Sequence, residues 1–241
     1  MDIAVVSDIH GNLTALEAVL ADLRNVSPDL VLHGGDLAAG GSSPIEVVDR
    51  IRDLGWPGVM GNTDQMLVEP ASLEEFASRS AAPAAMWTII REMASATRSA
   101  LGDERLAWLR ELPLVTIRNE LAVVHAAPES CWLAPAADAT DAELEDVYGL
   151  LGAPAVAFGH THLPFIRTLP GMPKLLINMG SVGMPYDGDP RASYLLLRAG
   201  VAEIRRVEYD VERELKMLAD CGLPGAAWTA KMVRASSPQM P

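Results

Sequence analysis

Five short apolar runs in this chain each give way at once to glycine and to residues able to hold a cation or a proton. Ile3-Ala4-Val5-Val6 leads into Ser7-Asp8-Ile9-His10, and residues 30–32 lead into His33-Gly34-Gly35-Asp36. Val59-Met60 precedes Gly61-Asn62, residues 121–124 precede His125, and residues 155–158 precede Gly159-His160-Thr161-His162. Short apolar runs bounded by turn residues read as buried strands. In open α/β sheets the carboxyl ends of such strands are where ligands gather. The chain is thereby constrained to an α/β arrangement in which several strands end at one place.

The segments between the runs support this reading. Asn12 can cap a helix over roughly residues 13–25, with Leu13, Leu16, Val19, Leu20 and Leu23 on one face. Ser27-Pro28 stops it. Ser42, Ser43 and Pro44 open a second helix to about Leu54. With Val59-Met60 as a brief strand, the opening is β-α-β-α-β and predicts a largely parallel sheet. Residues 65–111 read as a helical insertion. It contains Met86, Trp87, Ile89, Ile90 and Met93, is interrupted at Pro83, and starts another helix at Gly102-Asp103.

Strands return at residues 114–117 and 121–124. A helix follows from Thr140 or Asp141 to Leu150 or Leu151, then strands at 155–158, 165–168, 175–177, 194–197 and 201–207. The close spacing of these later strands predicts hairpins. A final helix is expected over about 211–220. Residues 1–235 are expected to form a single domain, and residues 236–241 a disordered tail.

Bulk properties narrow the function. At 241 residues, 49% hydrophobic and 21% charged, the chain suits a soluble globular protein with one sizeable core. Its formal net charge of −13 argues against nonspecific nucleic-acid binding, yet leaves room for a small phosphate ester drawn in by local metal charge. Cys131 and Cys221 form no CxxC pair, which fits a reduced, cytoplasmic setting. No basic n-region with an apolar stretch marks a signal peptide. No apolar run approaches the ~20 residues that cross a bilayer.

Each ligand-type residue has a plain reading when taken singly. Gly-Asp is a turn dipeptide, Asn62 a helix cap, His125 a core histidine, and His160 and His162 the face of a surface strand. Jointly, five separate strand ends deliver oxygen and nitrogen donors. On a strand, residues i and i+2 share a side, so Asp8 and His10 are expected to reach one cation together.

This set, Asp8-x-His10, Gly35-Asp36, Gly61-Asn62, His125 and Gly159-His160-Thr161-His162, resembles the five signature blocks of the calcineurin-like metallophosphoesterase superfamily. The resemblance spans about residues 2–180, and the chain's size is similar to that of the small prokaryotic phosphodiesterase branch. It implies an α/β fold, a four-layer α-β-β-α sandwich of two mixed sheets flanked by helices. It also implies a first metal held by Asp8, His10, Asp36 and His162. A second would be held by Asp36, Asn62, His125 and His160, with Asp36 bridging. Mixed nitrogen and oxygen donors suit Mn, Fe, Ni or Zn better than Ca or Mg. The implied activity is hydrolysis of a small phosphate ester by a hydroxide generated between two divalent metal ions, with Asp36, Asn62 and His125 as catalytic residues.

The resemblance breaks at one point. The Gly-Asn block often continues with a histidine that assists the leaving group, and here it continues with Thr63. A threonine hydroxyl is too weak an acid to protonate an alkoxide. Around the centre, Asp64 and His33 are candidates for orienting ligands through hydrogen bonds. Asn62 and Arg191 are candidates for substrate contact, and Trp132 for stacking on a base. Gly180-Ser181-Val182-Gly183 reads as a tight turn in preference to an anion-binding loop. The competing readings are a phosphomonoesterase acting on nucleotides or proteins, and a non-catalytic scaffold on the same fold. Nothing in the sequence sets an oligomeric state.

Overall fold

Residues 1–241 are described by a computed structural model. The first sheet holds β1 (Ile3–Val6), β2 (Leu30–His33), β8 (Ala192–Arg198) and β9 (Val201–Val207), in the order β2-β1-β8-β9. The second holds β3 (Val115–Arg118), β4 (Leu121–Val124), β5 (Ala155–Phe158), β6 (Phe165–Thr168) and β7 (Leu175–Asn178), in the order β3-β4-β5-β7-β6. β1 and β2 are parallel, as are β4, β5 and β7; every other pairing is antiparallel.

Alternation along the strands sets the layering. Ile3 and Val5 of β1 join Leu195 and Leu197 of β8 in one apolar cluster with Leu121, Val123, Ala155, Ala157 and Ile177 of the second sheet. The two sheets therefore pack face to face. The intervening residues turn outward. Ala4, Val6 and Leu196 pack with Leu16 and Val19 of α1 (Leu13–Val26) and Val48 and Ile51 of α2 (Pro44–Leu54). On the far side, Ala122, Val124, Val156, Phe158 and Leu176 pack with Leu144 and Tyr148 of α6 (Asp141–Tyr148). Helix, sheet, sheet and helix are the four layers expected from the sequence.

The expected insertion is present as α3 (Asn62–Val68), α4 (Pro70–Arg79) and α5 (Ala84–Arg110). α5 is broken at Gly102, whose φ of 70° and ψ of 170° lie outside helical space, where the sequence places a helix start. Asn12 caps α1 by accepting the Ala15 N–H at 2.9 Å.

Four expectations need correction. Val59-Met60 forms no strand: the ladder stops after a bridge between His33 and Gly58, because the Met60 N–H turns away to the Pro113 carbonyl. The first sheet has one parallel pairing where a largely parallel sheet was expected, since β8 and β9 return antiparallel. A second C-terminal helix, α8 (Ala226–Ala235), follows α7 (Val211–Asp220). Gly222, Pro224 and Gly225 separate the two helices, and Ala226, Met232 and Val233 are buried with Leu215 and Leu218. The tail expected to be disordered makes defined contacts. The buried Ser236 carbonyl accepts the Gly188 N–H, and the Trp228 indole N–H donates to the Gln239 carbonyl at 2.7 Å. No helix is long and apolar enough to cross a membrane.

The loop after β4 is pinned from outside the sandwich. Tyr148 is fully buried, and its hydroxyl donates to the Ala126 carbonyl at 2.7 Å. Tyr148→Phe leaves that carbonyl unpaired beside His125. The expected loss is about 1–2 kcal/mol of unfolding free energy in urea titrations; a variant as stable as the parent would show that the bond contributes nothing net.

Candidate metal centre

The carboxyl ends of β1, β2, β4 and β5 all open toward one edge of the sandwich, where loops from both sheets meet. The donors do not sit on the strands themselves. β1 ends at Val6 and β5 at Phe158, and beyond them the chain enters left-handed turns. Asp8, His10, Asp36, His160 and His162 have φ of 54°, 50°, 56°, 65° and 57°. The strand rule for Asp8 and His10 therefore does not apply, although both side chains do reach the same place. Such backbone costs roughly 1–3 kcal/mol per non-glycine residue and persists only where the surroundings enforce it. Here the Asp8 N–H donates to Gly35 O at 3.0 Å and the His10 N–H to Asp36 O at 2.9 Å, lacing the two loops together.

Carbonyl groups fix the histidine tautomers. Nδ1 of His10 faces Ala39 O at 2.8 Å, Nδ1 of His125 faces Gly34 O at 2.8 Å, and Nδ1 of His162 faces Met184 O at 2.6 Å. A carbonyl can only accept, so each Nδ1 carries the proton and each Nε2 keeps its lone pair. Those lone pairs converge. Nε2 of His10 and Nε2 of His162 are 3.1 Å apart, and Nε2 of His125 lies 3.0 Å from Asn62 Oδ1. Nδ1 of His160 lies 3.0 Å from that same oxygen. The His10 and His162 pair sets acceptor against acceptor at hydrogen-bond distance, and such a pair repels unless a cation sits between the two.

The carboxylates make the same demand. Asp8, Asp36 and Asp64 are buried, and none has Lys or Arg within ion-pair distance; the charged neighbours of Asp8 and Asp36 are histidines. Ligand atoms of Asp8, His10 and His162 lie within 4.8 Å of one another, as do those of Asp8, Asp36 and His125. The donor set thus fits divalent cations. Burial alone would raise the Asp8 carboxyl, but His162, His125 and His10 outweigh it and hold it below the usual carboxylate range. Burial pulls His10 down, and His160 down to about 4, so both stay neutral ligands near pH 7. His125 goes the other way: burial lowers it, but Asp36 and Asp8 together raise it.

Asp64 holds the Asp36 loop. Its carboxylate accepts the N–H groups of Asp36 at 2.8 Å, Leu37 at 3.0 Å and Gly61 at 3.0 Å. Burial and the nearby Asp36 raise its pKa. His33, the other candidate for orienting a ligand, does not act so. Neither ring nitrogen has a hydrogen-bond partner, and the ring packs in the core beside Trp108 and Gly58. Arg191 is not brought to the centre either: its guanidinium pairs with Asp189 at 2.7 Å on the surface. The Val182 and Gly183 N–H groups donate to the Ser7 and Asp8 carbonyls, so they are not free for an anion, and residues 180–183 bend against the first loop without closing the tight turn expected there.

Several positioning groups were missed. The Ser181 hydroxyl donates to Asp8 O at 2.7 Å, and the Thr63 N–H donates to Asp36 Oδ1 at 2.9 Å. Buried Asn178 donates to Gly159 O at 2.7 Å, and Tyr186 stacks on His162 with ring centroids 4.4 Å apart. Asn178, just past an apolar run and before Gly180, carried the same signal as the donors.

Two glycines leave room for carboxylates. A Cβ on Gly159 would lie 2.1 Å from Asp8 Oδ2, and one on Gly61 would lie 2.1 Å from Asp36 Oδ1. Gly159→Ala must push the Asp8 carboxylate aside. Calorimetric Mn²⁺ affinity is expected to fall at least about tenfold, the scale seen when a ligand loses its orientation. Parental affinity in this variant would remove Asp8 from the donor set.

Residues 1–200 match the calcineurin-like phosphoesterase superfamily domain. An uncharacterized protein of Methanocaldococcus jannaschii is 33% identical over 92% of this chain and 93% of its own length. The symmetrical bis(5'-nucleosyl)-tetraphosphatase of Pectobacterium carotovorum is 29% identical over 61% of this chain, a match that spans half of that enzyme. The crystal structure of a metallophosphoesterase from Sphaerobacter thermophilus superposes with a TM-score of 0.79 at 28% identity, covering 98% of this chain and 99% of the other. With this fold, this donor set and these relatives, the chain belongs to the calcineurin-like phosphoesterase superfamily.

Proposed function

We propose that this protein is a phosphodiesterase that hydrolyses small phosphate esters at a centre of two divalent metal ions. The observation that carries this reading is the position of Asp36. Its Oδ2 lies 3.5 Å from Nε2 of His10 and 3.5 Å from Nε2 of His125, so one carboxylate oxygen is shared between two groups of donors. In this reading Asp8, His10, Asp36 and His162 hold one ion, and Asp36, Asn62, His125 and His160 hold the other. The donors suit Mn, Fe, Ni or Zn. When bound, such a pair supplies Lewis-acid polarisation of a phosphoryl oxygen and acidified water.

The protein's own share is orientation. Carbonyl groups hold three imidazoles with Nε2 inward, and the Thr63 N–H and Asp64 hold Asp36 and its backbone in place. Asn62 Oδ1 lies between His125 and His160 and is one of the donors nearest the open side. No group stands at Thr63 to give a proton to the departing oxygen, so the leaving group must depart on its own stability. The name of the Pectobacterium relative supports a small nucleotide ester as the substrate class. The net charge of −13 disfavours a polyanionic polymer as the alternative. The scaffold reading is disfavoured because every donor position holds a residue able to coordinate.

Metal-stripped protein is expected to leave bis-p-nitrophenyl phosphate intact and to hydrolyse it once Mn²⁺ is restored. Asp36→Asn is expected to lower kcat/KM at least about 100-fold, some 2.7 kcal/mol of transition-state stabilisation. No turnover with Mn²⁺, Ni²⁺, Fe²⁺ or Zn²⁺ would overturn the proposal. Across a series of aryl diesters, kcat is expected to fall steeply as the leaving-group pKa rises. Thr63→His should flatten that slope, and equal slopes in the two proteins would refute the role assigned to position 63.

A further inference from the structure

A cavity of about 210 Å³ opens beside the donors. Asn62 and His160 form its inner end; Trp87 of α5, Trp132, Tyr186 and Trp228 of α8 contribute to its walls. The helical insertion and the C-terminal helix thus meet over the centre. No Lys, Arg, Asp or Glu lines the cavity. A phosphate would find no counter-charge there beyond the inner end, whereas an uncharged organic group would leave water for aromatic surface. The volume is below the roughly 300–1,000 Å³ of sites that take drug-sized molecules, so it suits one ring system and not two nucleosides.

Two polar atoms in these walls lack partners. The Trp87 indole nitrogen and the Thr63 hydroxyl are buried and make no hydrogen bond within the protein. Both atoms are closed to a water-sized molecule, so they meet a ligand only where the wall side chains turn. Trp132 differs: its indole N–H is already taken by Gln65 Oε1 at 2.6 Å, and its ring is braced on Phe76 with centroids 4.8 Å apart. It is a fixed wall.

We propose that this cavity holds a planar, uncharged aromatic ring, and that it selects esters carrying one such ring next to the phosphate. The placement of the phosphate rests on the phosphoesterase reading; binding of the ring does not. A substrate with two nucleosides would seat one base here and leave the rest of the molecule outside.

The test is calorimetry on the full-length, metal-stripped protein with adenine as probe and inorganic phosphate as control. Saturable binding of adenine and none of phosphate is expected. Ile90 and Met93 of α5 also line the cavity and are half-buried, so Ile90→Trp and Met93→Trp fill it from a tolerant position. Each, once circular dichroism shows a parental fold, is expected to weaken adenine binding at least about tenfold by steric exclusion. No adenine binding to the parent protein overturns the proposal whatever the variants do. Parental affinity in a folded filled variant also overturns it. Adenine binding without turnover of bis-p-nitrophenyl phosphate would keep the cavity and discard the activity; turnover without adenine binding would do the reverse.

Discussion

Three carboxylates buried without a basic partner are the constraint on which the rest of this structure depends. Asp8, Asp36 and Asp64 lie where the two sheets end, and the ionisable side chains against Asp8 and Asp36 are histidines, with no lysine or arginine. Burying an ionised carboxylate with no compensating charge is among the most expensive things a protein can do. Asp64 is compensated by three backbone N–H groups. Asp8 is met in part by the His160 N–H at 3.1 Å, and Asp36 by the Thr63 N–H. What remains is negative potential concentrated on a few inward-facing oxygens, together with imidazole lone pairs aimed at the same space. Bound cations would resolve that excess, and on the proposed function they would then suit the site to an anionic ester.

Backbone groups do most of the positioning. Ala39, Gly34 and Met184 carbonyls choose the imidazole tautomers, and left-handed residues at Asp8, His10, Asp36, His160 and His162 aim the side chains. Gly159 and Gly61 allow another loop's carboxylate to rest on bare backbone. The strain of these turns is carried by the face-to-face packing beneath them, where Ile3, Val5, Val123 and Ala157 are fully or almost fully buried. A rigid core and a strained rim are thus parts of one device.

The legible part of the chain was the part written in side chains. β1, β4 and β5 stand where their apolar runs place them, because a short, wholly buried run ending in turn or ligand-type residues has few other ways to fold, and the more exposed β6 and β9 also keep their expected bounds. The seven donor-type residues were legible for the same reason, and the structure brings them together. The carbonyls that orient them were not, since every residue has a carbonyl and no pattern marks which is used. Nor was the left-handed backbone at Asp8 and His10; the strand rule reached the right neighbourhood through the wrong geometry. Arg191 could meet a substrate or pair with an acidic neighbour on sequence alone, and Asp189, two residues away, holds it. His33 shares a strand end with the donors but faces Trp108, a distinction of side-chain direction that spacing alone does not carry. α8 was lost behind Gly222, Pro224 and Gly225, a true turn followed by more helix.

Acidity and phosphate recognition are reconciled by distance. The surface of a chain with net charge −13 repels extended polyanions over about a Debye length, near 8–10 Å in ordinary salt. A small ester has little charge to repel and needs only one phosphate at the centre. The repulsion therefore acts as a filter on size and charge before any contact is made. Behind that filter, a cavity without charged side chains beyond its histidines leaves the donors at its inner end as the one place where phosphate is favoured. On the proposed function, selection among small esters would fall to the organic group, which would have to fit a wall built from the helical insertion and the last helix. Those are the segments whose sequence said least about chemistry, and they stand closest to the open side of the site.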